Sequence, residues 1–132
     1  MLTANQRNIR VLVVDDHELT RFSLSLALRH QAGVELIGLA SNGHEAIELV
    51  KQHRPDVIVL DLQMPIMDGL SASTHIKTIY PDTKILAYSS LEDPQTEVMV
   101  QTAKIDAFRK KDTSTNELVD LIKELGQHVN SN

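Results

Sequence analysis

Three acids stand where two short apolar runs end. Asp15 and Asp16 follow Ile9-Arg10-Val11-Leu12-Val13-Val14, and Asp61 follows Val57-Ile58-Val59-Leu60. Both runs are rich in β-branched residues and have the length of a buried strand. In an open parallel sheet the strand carboxyl ends face one crevice, where ligands bind. Three carboxylates gathered there repel one another. The usual remedy is a hard divalent cation held by oxygen ligands, with Mg²⁺ the first candidate and Mn²⁺ beside it. A carboxylate next to such an ion can itself attack, and a phosphoryl group is the electrophile this setting suits.

Further groups follow the later apolar runs. Ser89 and Ser90 come after Lys84 to Tyr88, and Arg109-Lys110-Lys111 closes the run from Asp106. One crevice would then hold three acids, a hydroxyl and a lysine. The cation and the ammonium would neutralise phosphoryl oxygens, the hydroxyl would donate to one, and a carboxylate would attack in line.

The elements that must position these groups alternate along the chain. Apolar runs at 9–14, 34–40, 56–60, 84–88 and 106–110 read as strands. Between them lie helical patterns. In 17–31, Leu19, Phe22, Leu24, Leu26 and Leu28 predict one heavily buried face, with Gly33 as the stop. Asn42 caps the second helix, with Glu45 three residues on. Asp68-Gly69 makes the turn into a third helix ending near Tyr80, with Gly69 supplying an unusual backbone angle. Asp93-Pro94 starts a fourth, carried on by Val98, Met99 and Ala103. Ser114 and Glu117 form a capping box for the last, which carries Leu118, Leu121, Ile122 and Leu125 and stops at Gly126. Five strands alternating with five helices predict an α/β fold: a flavodoxin-like (βα)5 three-layer sandwich, its five-stranded parallel sheet covered on both faces. Residues 1–8 and 127–132 read as polar tails around a domain at 9–126.

The chain has 132 residues, 42% hydrophobic and 23% charged, as expected of one ordinary globular domain. It has no cysteine, which excludes disulfides and thiolate chemistry. No apolar run nears the ~20 residues that span a membrane, and the polar N-terminus is unlike a signal peptide. A cytoplasmic location is the expectation. A formal net charge of −5 argues against a nucleic-acid surface on this domain.

The pattern resembles the receiver domain of two-component response regulators. The resemblance rests on Asp15-Asp16, on Asp61 with Met64-Pro65 and Asp68-Gly69 behind it, and on Ser89, Phe108 and Lys111. It runs from about Ile9 to Leu125. Val14-Asp15-Asp16-His17 and Lys111-Asp112 look most like the NarL/FixJ-type subfamily, many members of which carry a C-terminal DNA-binding helix-turn-helix domain. The resemblance implies that Asp61 accepts a phosphoryl group from a phosphohistidine on a sensor kinase or a phosphotransfer protein. Asp16 and Asp61 would ligate Mg²⁺ (or Mn²⁺) directly, Asp15 directly or through water, and the Gln63 backbone carbonyl would complete the set. Lys111 would pair with Asp61 at rest and with the phosphoryl group afterwards. Ser89 would be the switch hydroxyl and Phe108 the aromatic that moves with it. Gln63 and Leu91 would tune the lifetime of the phosphorylated state. The surface of the fourth helix, fifth strand and fifth helix would carry the output, and members of the subfamily often form homodimers. Such a domain is a phosphoacceptor with limited self-phosphorylation and self-dephosphorylation, not a turnover enzyme.

Other readings compete at each residue. Asp15 and Asp16 could cap a helix, Asp61 could be a turn residue, Phe108 could be plain core, and Lys111 could belong to a solvated basic run. His17, directly after the acid pair, could be a phosphorylation site or metal ligand but reads as a surface or capping residue, and Met64 and Met67 read as packing. A flavodoxin-like cofactor binder would want Gly, Ser or Thr after the first strand, where Asp15-Asp16-His17-Glu18 would repel a phosphate. An aspartyl hydrolase would want a cap domain. A stand-alone or pseudo-receiver acting by protein contact is the alternative that Mg²⁺ binding would separate. Two departures from the family pattern stand out. The turn Lys104-Ile105-Asp106-Ala107 lacks glycine, and Asp112 replaces the proline that often follows the site lysine in a cis peptide, which leaves that isomer open.

Overall fold

A computed structural model describes residues 7–64, 67–90 and 104–130. Five parallel strands form one sheet: β1 (Ile9–Val14), β2 (Val34–Ala40), β3 (Val57–Leu60), β4 (Lys84–Ser89) and β5 (Ala107–Lys110), in the order β2-β1-β3-β4-β5. The order is the flavodoxin-like one, and it puts β1 beside β3. Register matches Val14 with Leu60, and Asp61 N–H donates to the Val14 carbonyl at 2.9 Å. The two acid-bearing strand ends therefore stop level with each other.

Alternating side chains along the strands build two cores. One face presents Val11, Val13, Val57, Val59 and Leu86 to α1 (Glu18–Arg29) and to the C-terminal helix (Thr115–Asn130), which contribute Leu24, Leu28, Leu118 and Ile122. The other presents Leu12, Val14, Ile58, Leu60 and Ile85 to α2 (Gly43–His53) and α3 (Gly69–Ile79), through Ala46, Val50 and Ile76. The result is the expected three-layer sandwich. No helix of the described residues is long and apolar enough to cross a membrane.

The caps follow the sequence closely. Asn42 Oδ1 accepts from Glu45 N at 2.9 Å, Asp68 Oδ1 from Ser71 N at 2.8 Å, and Ser114 Oγ from Glu117 N at 3.2 Å. Each satisfies an orphan donor of a first helical turn. Lys104 takes φ +59°, so the turn before β5 is made in the left-handed region without glycine. No described peptide bond is cis, so Lys111–Asp112 is trans.

Three expectations need correction. On α1 only Leu24, Ser25 and Leu28 are buried, while Leu19, Phe22 and Leu26 are exposed. At ~100° per residue the two leucine sets fall on opposite sides of the helix, so one buried face could not hold both. Gly69 does not have a positive φ. It is required for space: a Cβ there would lie 2.7 Å from Leu62 Cα. Gly126 does not end the last helix, which runs on to Asn130. It lets the helix pack on Ile9, whose Cγ1 and Cδ1 would stand 2.8 Å from a Cβ at that position. The helix expected from Asp93-Pro94, with Val98, Met99 and Ala103, lies outside the described residues, as do Pro65 and Leu91.

Candidate functional site

β1 and β3 end together, and the chain turns outward at each end. Asp15 N–H still bonds the Ala40 carbonyl at 3.0 Å, so Asp15 belongs to the edge of the sheet. Its residue exposure is only 2%, and that of Asp61 is also 2%. Asp16 is one residue further out and partly exposed. The Gln63 backbone N–H donates to Asp61 Oδ1 at 3.1 Å, which leaves Oδ2 turned toward the other groups. Gly69 N–H donates to the Leu62 carbonyl at 3.1 Å and ties the start of α3 to the loop behind Asp61.

Lys111 comes from the other side of the crevice. Its Nζ lies 2.7 Å from Asp15 Oδ2 and 3.4 Å from Asp61 Oδ2. The lysine thus meets Asp61 as expected, but leans more closely on Asp15. Its backbone is held twice. Lys111 N–H donates to the Ser89 carbonyl at 3.0 Å, and the Tyr88 hydroxyl donates to the Lys111 carbonyl at 3.0 Å. Ser89 is wholly buried at the end of β4, whereas Ser90 is exposed, which agrees with Ser89 as the inward hydroxyl. Phe108 is half-buried on β5, opposite Ala87. Arg109 turns its guanidinium to the Phe108 carbonyl. Met64 and Met67 pack against the α2/α3 core, as expected.

The electrostatics follow from crowding. Burial raises the Asp61 carboxyl above its ordinary value, and the Asp15 charge adds to this. The Gln63 N–H and Lys111 pull the other way without reversing it. For Lys111, burial favours the neutral amine, but the hydrogen bond to Asp15 and the charges of Asp15 and Asp61 outweigh it and raise the ammonium's value. Three carboxylates against one ammonium leave the cluster short of positive charge.

The donors present fit a divalent cation. Asp15, Asp16, His17 and Asp61 each offer one ligand atom, all within 4.8 Å of one another. Asp16 Oδ1 is buried and has no hydrogen-bond partner, so a bound cation would satisfy it. The oxygen-rich set suits Mg²⁺ or Mn²⁺. His17 Nδ1 lies 3.2 Å from that oxygen without a hydrogen bond to it.

Reasoning from sequence set aside one member of this neighbourhood and missed another. His17 is the N-cap residue of α1 and its side chain is 62% exposed, as a surface role would have it, yet Nδ1 sits among the acids. Its place directly after the acid pair was the available signal. Tyr88 points to the opposite face from Ser89 and reaches the site only through the Lys111 backbone, for which the sequence holds no signal.

Residues 11–123 match the family model of the response regulator receiver domain. Over 116 residues, 88% of this chain, it is 35% identical to the response regulator protein VraR of Staphylococcus aureus. The chain spans 56% of VraR's length, about half. Among solved structures, the signal receiver domain of NarL from Mycobacterium tuberculosis superposes with a TM-score of 0.87 at 31% identity, covering 92% of this chain and 98% of that one. The response regulator domain of Thermotoga maritima CheB gives 0.83 at 30% identity, with the same coverage. Family model, sequence relatives and fold agree, and the chain belongs to the receiver domain family of two-component response regulators.

Proposed function

We propose that Asp61 is the phosphoacceptor of this receiver. The observation that carries the proposal is the meeting of Asp61, Asp15 and Lys111 at one strand-end crevice, with Lys111 Nζ 2.7 and 3.4 Å from the two carboxylates. An Asp61 carboxylate oxygen attacks the phosphorus of a phosphohistidine on a sensor kinase or phosphotransfer protein. A P–O bond forms, the P–N bond breaks, and the imidazole leaves with the electron pair. Asp15, Asp16, Asp61 and the Gln63 carbonyl would hold Mg²⁺ or Mn²⁺, which when bound neutralises phosphoryl oxygens. Lys111 supplies a further positive charge to the same oxygens. Ser89 donates its hydroxyl to the phosphoryl group, and Phe108 follows it, changing the face formed by β5 and the C-terminal helix.

Gln63 and Leu91 are the positions that tune the lifetime of the phosphorylated state. Leu91 is apolar and orients no water, so the acyl phosphate is long-lived. Leu91→Glu or Leu91→Lys is expected to change the dephosphorylation rate, and an unchanged rate counts against the role. The same residues support limited self-phosphorylation and self-dephosphorylation. The receiver occupies 9–126, acts in the cytoplasm, and can form homodimers. It makes no nucleic-acid contact itself, and it is the N-terminal part of, or related to, a DNA-binding transcriptional regulator.

The test is intact mass after incubation with Mg²⁺ and a small-molecule phosphodonor, beside Asp61→Asn and a metal-free control. One hydroxylamine-labile phosphoryl group, absent from both controls, is expected. No gain by a folded protein that also fails to bind Mg²⁺ would point instead to a pseudo-receiver.

A further inference from the structure

His17 has two unusual properties for a helix N-cap. Its side chain makes no capping hydrogen bond, and its ring lies back over the end of β1. The backbone explains the direction. His17 N–H donates to Asp15 Oδ1 at 2.8 Å, and the residue is extended (φ −85°, ψ 114°). This folds the Cα over the acid pair before α1 begins. Nδ1 then lies 2.9 Å from Asp15 Oδ1, 3.2 Å from Asp16 Oδ1 and 3.9 Å from Asp61 Oδ2.

Those spacings are those of ligands that share an ion. With bonds of about 2.1 Å, neighbouring donors stand ~3.0 Å apart in an octahedron and ~3.4 Å apart in a tetrahedron. Nδ1 meets that spacing with Asp15 Oδ1 and Asp16 Oδ1 and stands farther off, at 3.9 Å, from Asp61 Oδ2. Lys111 stands beside the same atom: its Nζ lies 2.7 Å from Asp15 Oδ2 and 3.3 Å from Nδ1, so an ion bound by the ring takes the place of the ammonium there. Nδ1 donates to Asp15 Oδ1 in one neutral tautomer and accepts from Lys111 Nζ in the other. A neutral imidazole can move the Nδ1 proton to Nε2 and turn its Nδ1 lone pair on a metal with no net change in charge.

We propose that His17 is a nitrogen ligand of the acid cluster for first-row transition ions and sets the metal preference of this receiver. This rests on the metal site proposed above. Imidazole suits Ni²⁺, Zn²⁺ and Co²⁺, accepts Mn²⁺, and adds little for Mg²⁺, which prefers oxygen. Mg²⁺ therefore leaves the ring free to turn out to solvent, where much of it already is. The ring stands 3.9 Å from Asp61 Oδ2, so an ion that holds it in place would keep it beside the acceptor carboxylate.

The experiment uses the full chain loaded with Mn²⁺, read by pulsed EPR for coupling to ¹⁴N, in wild type and His17→Ala. Ni²⁺ and Mg²⁺ dissociation constants are measured for both, with folding checked by circular dichroism. An imidazole nitrogen signal in wild type, lost in His17→Ala, is expected. Ni²⁺ affinity should fall about 10-fold or more in the variant, with Mg²⁺ affinity within about twofold of wild type. Mn²⁺ bound without nitrogen coupling, or equal losses for Ni²⁺ and Mg²⁺, would overturn the role of His17 and leave the acid site standing. Failure of wild type to bind Mn²⁺, or binding indifferent to Asp16→Asn, would overturn the site itself and this proposal with it.

Discussion

Gly69→Ala tests whether the acceptor loop is held by close packing. An ideal Cβ at Gly69 would stand 2.7 Å from Leu62 Cα and 2.9 Å from the Asp61 carbonyl carbon, and nearer still to the carbonyl oxygen. Comfortable carbon contacts are about 3.5–4.0 Å, so the loop must retreat by about 1 Å. The atoms met are backbone, with no side-chain end to rotate away. Overpacking of this kind costs about 1–3 kcal/mol. The gain in helix propensity from alanine is small at the first residue of α3. The loop that retreats is the one carrying Asp61, and a ~1 Å misplacement of a reacting group can slow chemistry by up to ~10²-fold. Urea unfolding should show a lower midpoint with an unchanged slope, and intact-mass time courses with a small phosphodonor should show slow phosphorylation of the folded fraction. Gly126→Ala is the control. There the added methyl meets the Ile9 side chain, far from the acids, and alanine in a helix interior returns about 1 kcal/mol. Its phosphorylation rate should equal wild type. If Gly69→Ala stays within about 0.5 kcal/mol of wild type and phosphorylates normally, the packing argument is wrong.

Other outcomes follow from the charges and hydrogen bonds. Asp61 is raised above the ordinary value of 3.8 chiefly by burial, so its ionised form withdraws stability as pH rises through the folded value. Metal-free Asp61→Asn should therefore melt higher than wild type at pH 7, and the gap should close on acidification into the carboxylate range. Mg²⁺ at a hundredfold excess over its dissociation constant should stabilise wild type by about 2.7 kcal/mol in urea titrations, and Asp61→Asn by far less. Tyr88→Phe removes only the donor to the Lys111 carbonyl. A loss of about 1 kcal/mol is expected, together with slower phosphorylation, because Lys111 loses one of its two backbone anchors.

Much of this was legible in the chain because the signals were local. Strand runs ended where carboxylates began, and Asn42, Asp68 and Ser114 declared their helices by side chains that bond three residues ahead. Ser89 could be preferred to Ser90 because alternation fixes which neighbour faces in. What could not be read depended on contacts distant in sequence. Gly69 and Gly126 look like turn and stop residues until Asp61 and Ile9 are seen pressed against them. Leu19, Phe22 and Leu26 share their composition with buried leucines, and only the placement of the sheet shows which side of α1 it covers. Tyr88 acts on a carbonyl 23 residues away.

The closer partner of Lys111 has a consequence for the switch. Asp15 carries the shorter contact, at 2.7 Å, and Asp61 the longer, at 3.4 Å. The cluster thus sets its one lysine mainly against the carboxylate that is not the proposed acceptor. A divalent cation taken up by the acids would relieve Asp15 of that need and leave the ammonium for the phosphoryl oxygens growing on Asp61. Metal binding and lysine transfer would then be one coupled event. Asp15→Asn should uncouple them, since a neutral amide neither holds Lys111 by charge nor binds the ion well. Such a variant should lose Mg²⁺ affinity while its lysine moves closer to Asp61 in the absence of metal. A change in the Lys111 ammonium resonance by NMR on mutation, comparable to that produced in wild type by Mg²⁺, is the expected sign. If Mg²⁺ leaves that resonance unmoved in wild type, Lys111 does not change partners and the coupling does not exist.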